Sequence, residues 1–71
     1  MQGRDVFNRQ ELEQLRALLR EKQTADRDRQ KVLRAKMREL GFYITDFATD
    51  QGGFTAADLD ALVARGLVKV E

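Results

Sequence analysis

Apolar residues recur at helical spacing through the first forty positions of the chain. Only one of the residues from 20 to 31 is apolar, Ala25, and neither proline nor glycine occurs within 4–40. The pattern predicts helix over 9–40, with a polar stretch in the middle of its apolar face. The apolar positions, three or four residues apart, are Leu12, Leu15, Leu19, Leu33, Met37 and Leu40.

Two interpretations of residues 9–40 compete. The first is a single helix, which would be about 48 Å long at about 1.5 Å per residue. The second is a helical hairpin that turns near Gln23 and Thr24, with Thr24 capping the second helix. A domain of this size has a radius of gyration of about 11 Å, which favours the hairpin. The absence of glycine and proline at the turn favours the single helix, which we take as the first interpretation.

The same helix-start signal occurs twice. Asn8 is followed three residues later by Glu11, and Thr55 is followed at the same distance by Asp58. Each pair is typical of a capping box, in which the first side chain accepts from a free helix amide and the acid reaches back. A phenylalanine precedes each cap and can pack on the leucine one turn inside the helix.

Glycines mark the predicted helix ends, and strand-like residues follow them. Gly41 precedes 42–47, where aromatic and β-branched residues alternate as in a strand. A helix is predicted over 56–65, and Gly66 precedes a second short strand at 67–70. The direction in which these strands pair stays open. Of the aromatic side chains after the first helix, only the tyrosine of the first strand is expected to be exposed.

Composition limits how such a chain can be stabilised. A domain of 71 residues buries only about 60% of its unfolded surface. Without cysteine there are no disulfides, and without histidine or cysteine the commonest zinc ligands are missing. Self-association is the remaining means. We therefore expect one small domain (1–71) of the α+β class, dominated by helix with a small two-stranded sheet, that forms a homodimer.

The apolar face of the long helix is the predicted oligomer interface. A single helix would offer more apolar surface than the last 31 residues can cover. Core packing of the same side chains within one chain is the alternative. The interface residues are Leu12, Leu15, Leu19, Leu33 and Met37.

Charge is small in total and uneven in distribution. The net charge is +1. Residues 1–40 carry eleven Lys/Arg and seven Asp/Glu, giving +4, and residues 41–71 carry two and five, giving −3. Basic side chains three and four residues apart repel one another, which suggests a face that meets an anion. The candidate nucleic-acid contacts are Arg27, Lys31, Arg34 and Arg38. A solvated helix face is the other interpretation.

The residue types in the sequence give little indication of a catalytic site. The chain lacks histidine, cysteine and serine, so a base would have to be a carboxylate. Thr45 and Asp46 would point to opposite faces of the predicted strand. We expect no enzyme activity, no cofactor, no metal and no membrane partner, and a cytoplasmic location. The expected function is a non-catalytic interaction module that self-associates, or alternatively a nucleic-acid-binding accessory protein.

Overall fold

Three helices and a small parallel sheet make up the part of the chain that the structure describes. The computed structural model describes residues 2–48 and 53–71, so most of the predicted polar loop at 48–53 lies outside the described residues. The α+β, helix-dominated class with a two-stranded sheet is confirmed. In chain order the elements are β1 (Val6–Phe7), α1 (Arg9–Thr24), α2 (Arg27–Glu39), a 3-10 turn (Ile44–Asp46), α3 (Ala56–Ala64) and β2 (Lys69–Val70).

Both predicted capping boxes are formed. The Glu11 amide donates to Asn8 Oδ1 at 2.7 Å, and the Asn8 amide donates to Glu11 Oε1 at 3.0 Å. At the start of α3, the Asp58 amide donates to Thr55 Oγ1 at 3.3 Å, and the Thr55 amide donates to Asp58 Oδ2 at 2.9 Å. The phenylalanine before each cap is buried, so each helix start is fixed by hydrogen bonds and by the core.

The chain folds back between α1 and α2, so the single-helix interpretation of 9–40 is wrong and the hairpin is correct. The longest dimension of the molecule is 31 Å, too short for a 48 Å helix. Ala25 and Asp26 form the turn, and both have extended backbones with negative φ. Such a turn needs no glycine, which is why the lack of glycine gave the wrong answer.

The cap of α2 differs from the one predicted. Asp26 caps this helix, since its Oδ1 accepts from the Arg29 amide at 2.8 Å. Thr24, the predicted cap, is the last residue of α1, and its hydroxyl donates to the Glu21 carbonyl at 3.2 Å. Arg29 also reaches across the hairpin and donates to Glu21 Oε2 at 2.6 Å. The turn is therefore held by a cap on one side and an ion pair on the other.

A 3-10 turn replaces the strand predicted at 42–47. The alternating burial is present, since Phe42 and Ile44 are buried and Tyr43 is half-buried. However, the Asp46 amide donates to the Tyr43 carbonyl at 3.0 Å and closes a turn. The alternation therefore predicted correctly that Phe42 and Ile44 face the core. It did not predict the backbone, which satisfies its hydrogen bonds locally rather than in a sheet.

The sheet instead joins the two ends of the chain. Val6 pairs with Lys69 and Phe7 with Val70, in parallel. The Lys69 amide donates to the Asp5 carbonyl at 2.7 Å. β1 was not predicted from the sequence, and β2 is shorter than the strand predicted at 67–70. Two residues of β1 carry too little alternation to mark a strand.

Glycine ends both α2 and α3. Gly41 and Gly66 have φ values of +91° and +78°, a conformation that side chains disfavour. The Gly66 amide donates to the Val63 carbonyl at 3.1 Å, and the next amide donates to the Leu62 carbonyl at 3.0 Å. The same pattern follows α2, and it satisfies carbonyls that would otherwise be unpaired at the helix ends.

The residues that were predicted to form an oligomer interface lie in or against the core of a single chain. Leu15, Leu19, Leu33 and Met37 are buried within one chain, and Leu12 is half-buried against the core. The interface assignment is therefore corrected to core packing, because folding back brings the two apolar segments onto one another and onto α3. The remaining buried apolar residues are Phe7, Phe42, Ile44, Phe54, Leu59, Leu62 and Val68.

None of the helices within residues 2–48 and 53–71 combines the length and hydropathy that a membrane crossing requires.

Replacing the turn cap provides the first test of this fold. We expect Asp26→Ala to lower the free energy of unfolding by about 1 kcal/mol, because the first amides of α2 lose their acceptor. Thr24→Ala, the matched control, leaves that cap intact and is expected to have a smaller effect. Urea unfolding followed by circular dichroism measures both. A larger loss for Thr24→Ala than for Asp26→Ala would contradict the cap assignment.

Candidate functional site

Four basic side chains form one face of α2, here called the basic face: Arg27, Lys31, Arg34 and Arg38. They lie about 110° around the helix from buried Leu33 and Met37, at about 100° per residue. All are exposed except Arg34, which is half-buried. Within the part of the chain that the structure describes, none of the four has a hydrogen-bond or ion-pair partner.

Other arginines do have acidic partners. Arg16 on α1 lies 3.3 Å from an Asp60 carboxylate oxygen on α3, and Arg29 pairs with Glu21 across the hairpin. The hairpin also separates α1 from α2, so the basic residues of α1 are not aligned with the basic face.

The spacing of the basic face makes it electrostatically unfavourable by itself. Its neighbouring members are three or four residues apart, a distance at which like charges on a helix cost a few tenths of a kcal/mol per pair. No carboxylate within residues 2–48 and 53–71 pairs with them. An anion bound against this face would relieve the repulsion, and a row of anions would relieve more of it.

A cleft of about 340 Å³ borders the carboxyl-terminal end of the basic face. It lies between α2 and the segment that follows Gly41. Arg34 and Arg38 belong both to the basic face and to the wall of this cleft. The lining residues, which define the Tyr43 cleft, are Gln2, Arg34, Met37, Arg38, Phe42, Tyr43, Ile44 and Thr45.

The Tyr43 cleft combines three kinds of surface. Met37, Phe42 and Ile44 are buried apolar residues and contribute an apolar lining. Tyr43 is half-buried and contributes an aromatic ring with a hydroxyl. Exposed Thr45 adds a hydroxyl. The cleft is therefore suited to a ligand with an apolar body, polar edges and a nearby negative charge.

Residues 2–4, here called the N-terminal clasp, close one side of the Tyr43 cleft. The Gln2 and Gly3 amides donate to the two Asp46 carboxylate oxygens, each at 2.8 Å. The Arg4 amide donates to the Gly41 carbonyl at 2.7 Å. The hydrogen bond from the Gln2 amide, together with that from the Gly3 amide, holds the pKa of Asp46 below its usual value. A carboxylate occupied in this way is a poor general base.

Gly3 allows the clasp to approach closely. A Cβ at this position would overlap the Gly41 carbonyl oxygen and lie 2.6 Å from Cδ1 of Tyr43. Only glycine fits between these groups without displacing one of them. The clasp therefore holds the Tyr43 ring in place as well as the backbone beneath it.

An apolar groove of about 630 Å³ lies on another side of the hairpin, between α1 and α2. Exposed Ala17 and half-buried Leu18 and Leu40 contribute its apolar surface. Lys36 and Glu39 place opposite charges along it. We call this surface the hairpin groove.

The four basic residues were predicted together from the sequence. Tyr43 was predicted to be exposed on a strand, whereas it is half-buried and lines a cleft beside two of them. The clasp was missed because a glycine near the start of a chain carries no distinctive signal. The Asp46 carboxylate, which anchors the clasp, is remote in sequence from the amides it accepts.

Comparison with protein families, curated proteins and solved structures finds no match to this chain.

The clasp predicts a pH dependence of stability. Folding lowers the pKa of Asp46. Its contribution to the free energy of unfolding is therefore present above the pKa of the unfolded chain, near 3.8, and is lost as the pH falls through the lower pKa of the folded protein. We expect Asp46→Asn to remove part of the acid-induced decrease in the free energy of unfolding. Urea unfolding at neutral pH and near pH 3 measures the decrease.

Glu13→Gln is the matched control, since Glu13 is exposed and its side-chain carboxylate has no hydrogen bond to any residue of the described ranges. It should lose stability in acid as the unmodified protein does. An equal acid-induced decrease for Asp46→Asn and the unmodified protein would contradict the role of the clasp.

Proposed function

We propose that the protein is a non-catalytic binding module that attaches to the phosphate backbone of nucleic acid through the basic face of α2. The observation that supports this proposal is the set of four cations on one side of a straight helix, without an anionic partner in residues 2–48 and 53–71. A cytoplasmic location stays part of the proposal.

The geometry favours a row of phosphates over a single small anion. The rise of about 1.5 Å per residue spreads the four side chains over about 16 Å of helix axis. Along one strand of a duplex, phosphates follow one another at about 3.4 Å of axis, so several meet a surface of this length. Repulsion within the basic face is then offset at each of its members.

The charge of the whole molecule shapes how such binding would behave. A net charge of +1 gives little long-range attraction, and salt screens charges beyond about 8–10 Å. Binding would thus depend on direct contact at the basic face rather than on the overall field. Arginine and lysine contacts to phosphate fix position without reading bases, so this face by itself gives little sequence preference.

Replacement of all four basic residues by glutamine tests the proposal. We expect the unmodified protein to bind a short oligonucleotide. The logarithm of its binding constant should fall with the logarithm of the salt concentration with a slope near −2.8, which is about −0.7 for each of four phosphate contacts on a single strand. That slope means an affinity loss of about 50-fold between about 50 and 200 mM salt. The quadruple variant should lose binding while keeping its helix content, because glutamine and arginine have similar helix propensities.

A second quadruple variant is the control, with glutamine at exposed basic positions outside the basic face and the hairpin groove: Arg9, Arg20, Arg65 and Lys69. It changes the net charge by the same amount. Retained binding in the control together with loss in the first variant supports the basic face. Equal loss in both would show a general charge effect, and absence of binding by the unmodified protein at low salt would end the proposal.

A homodimer is the second candidate, favoured by the hairpin groove. Leu18 and Leu40 are only half-buried there, and Ala17 is exposed. Lys36 and Glu39 border the same groove, so a copy related by a two-fold axis can place each charge near its opposite on the other chain. This surface replaces the buried leucines as the proposed site of self-association.

Molecular mass tests the homodimer. We expect sedimentation equilibrium at rising micromolar concentration to give twice the 8.2 kDa of one chain. Ala17→Glu should return it to one chain, because a carboxylate would be buried in the contact. Ala35→Glu is the control, on an exposed part of α2 outside the groove. A single-chain mass at every concentration would contradict self-association, and a dimer that tolerates Ala17→Glu would exclude this groove.

A further inference from the structure

We propose that the Tyr43 cleft binds one unpaired base of a single-stranded nucleic acid whose phosphates lie along the basic face. This inference rests on the proposed function and specifies its substrate class, a single strand rather than a duplex. It starts from the position of Arg34 and Arg38, which belong to both surfaces.

Because Arg34 and Arg38 belong to the basic face and line the cleft, a phosphate bound by them lies beside the cleft. Arg38 is exposed, and Arg34 is half-buried at the cleft wall. A strand that follows the helix from Arg27 therefore reaches the cleft with its last contacted phosphates. At that point the attached base lies over the cleft opening.

The lining of the cleft fits a base better than it fits a phosphate. A base has apolar faces and polar edges. Tyr43 offers an aromatic ring for stacking, and every base can stack on such a ring. Met37 and Ile44 are almost fully buried and form the apolar floor of the cleft, where an isolated phosphate would lose hydration without compensation. Thr45 provides a hydroxyl for a polar edge.

A duplex cannot use this cleft without disruption. Its bases are paired and stacked, and taking one out costs a few kcal/mol. A single strand has bases that are free to turn outward. The basic face would accept either form, so the cleft is the feature that distinguishes them.

The structure holds the cleft in shape before any ligand binds. Phe42, beneath it, packs on Phe47 with ring centroids 5.7 Å apart and on Phe7 at 6.0 Å. On the other side, the clasp leaves no room for a Cβ at Gly3 beside the Tyr43 ring. Because little ordering is needed on binding, stacking contributes to affinity with a small entropic loss.

Affinity for three probes of equal length tests the inference: a single-stranded oligothymidylate, the same strand with abasic sites, and a duplex. We expect the single strand to bind most tightly. Tyr43→Leu should weaken its binding by about 5- to 150-fold, the range for loss of one stacked base. The same variant should leave the abasic strand almost unaffected, and Tyr43→Phe should keep most of the affinity, since it keeps the ring.

A second measurement uses the unmodified protein and does not depend on how a variant folds. Tyr43 is the only tyrosine in the chain, so its ring protons give a single set of NMR signals that reports on this cleft. We expect these signals to move upfield with the single strand, because a stacked base shields them. The abasic strand and the duplex should not produce this shift.

The outcomes separate this inference from the proposed function. If none of the three probes binds, the proposed function itself fails. If all three bind equally, without a shift of the Tyr43 signals, the basic face binds phosphate and the cleft does not take a base. A preference for the single strand that survives Tyr43→Leu would likewise overturn the role of the cleft.

Discussion

The two-residue turn between α1 and α2 is the constraint on which the rest of the structure depends. Ala25 and Asp26 take extended backbones, and Asp26 then caps the second helix. Folding back at this point places Leu15 and Leu19 in one core with Met37. A straight helix would have left these side chains exposed and would have required a partner to cover them. The turn therefore determines both the core and which basic residues remain side by side.

Two features then form the Tyr43 cleft at the far end of α2. The glycine after this helix lets the chain turn sharply, and the Asp46 carboxylate binds the amides of the N-terminal clasp. Together they enclose the Tyr43 cleft at the end of the basic face. Binding surface and aromatic ring are thus brought together by contacts between segments remote in sequence. This arrangement places an aromatic ring, a hydroxyl and two cations around one cleft.

How far the sequence predicted the molecule depends on how local each signal was. Capping boxes and terminal glycines depend on residues a few positions apart, and they predicted the start of α1, the end of α2 and the start of α3. Alternation at 42–47 predicted the burial of Phe42 and Ile44 but not the backbone, because a turn and a strand can bury the same side chains. The hairpin was only the second interpretation of residues 9–40, because its turn has no residue with positive φ and therefore needs no glycine that could mark it. The sheet and the cleft depend on pairings across the whole chain, and no local pattern carries them.

Pairing of β1 with β2 has a consequence for how the molecule is made. Val6 is synthesised before α1, α2 and α3, and its neighbour Lys69 is synthesised after them. Helices and hairpin form from local contacts and can assemble early, whereas a pairing of such large sequence separation is slow to find. Until then Val6 and Phe7 have no strand partner. The nascent chain therefore cannot complete its sheet until residues 69–70 have left the ribosome.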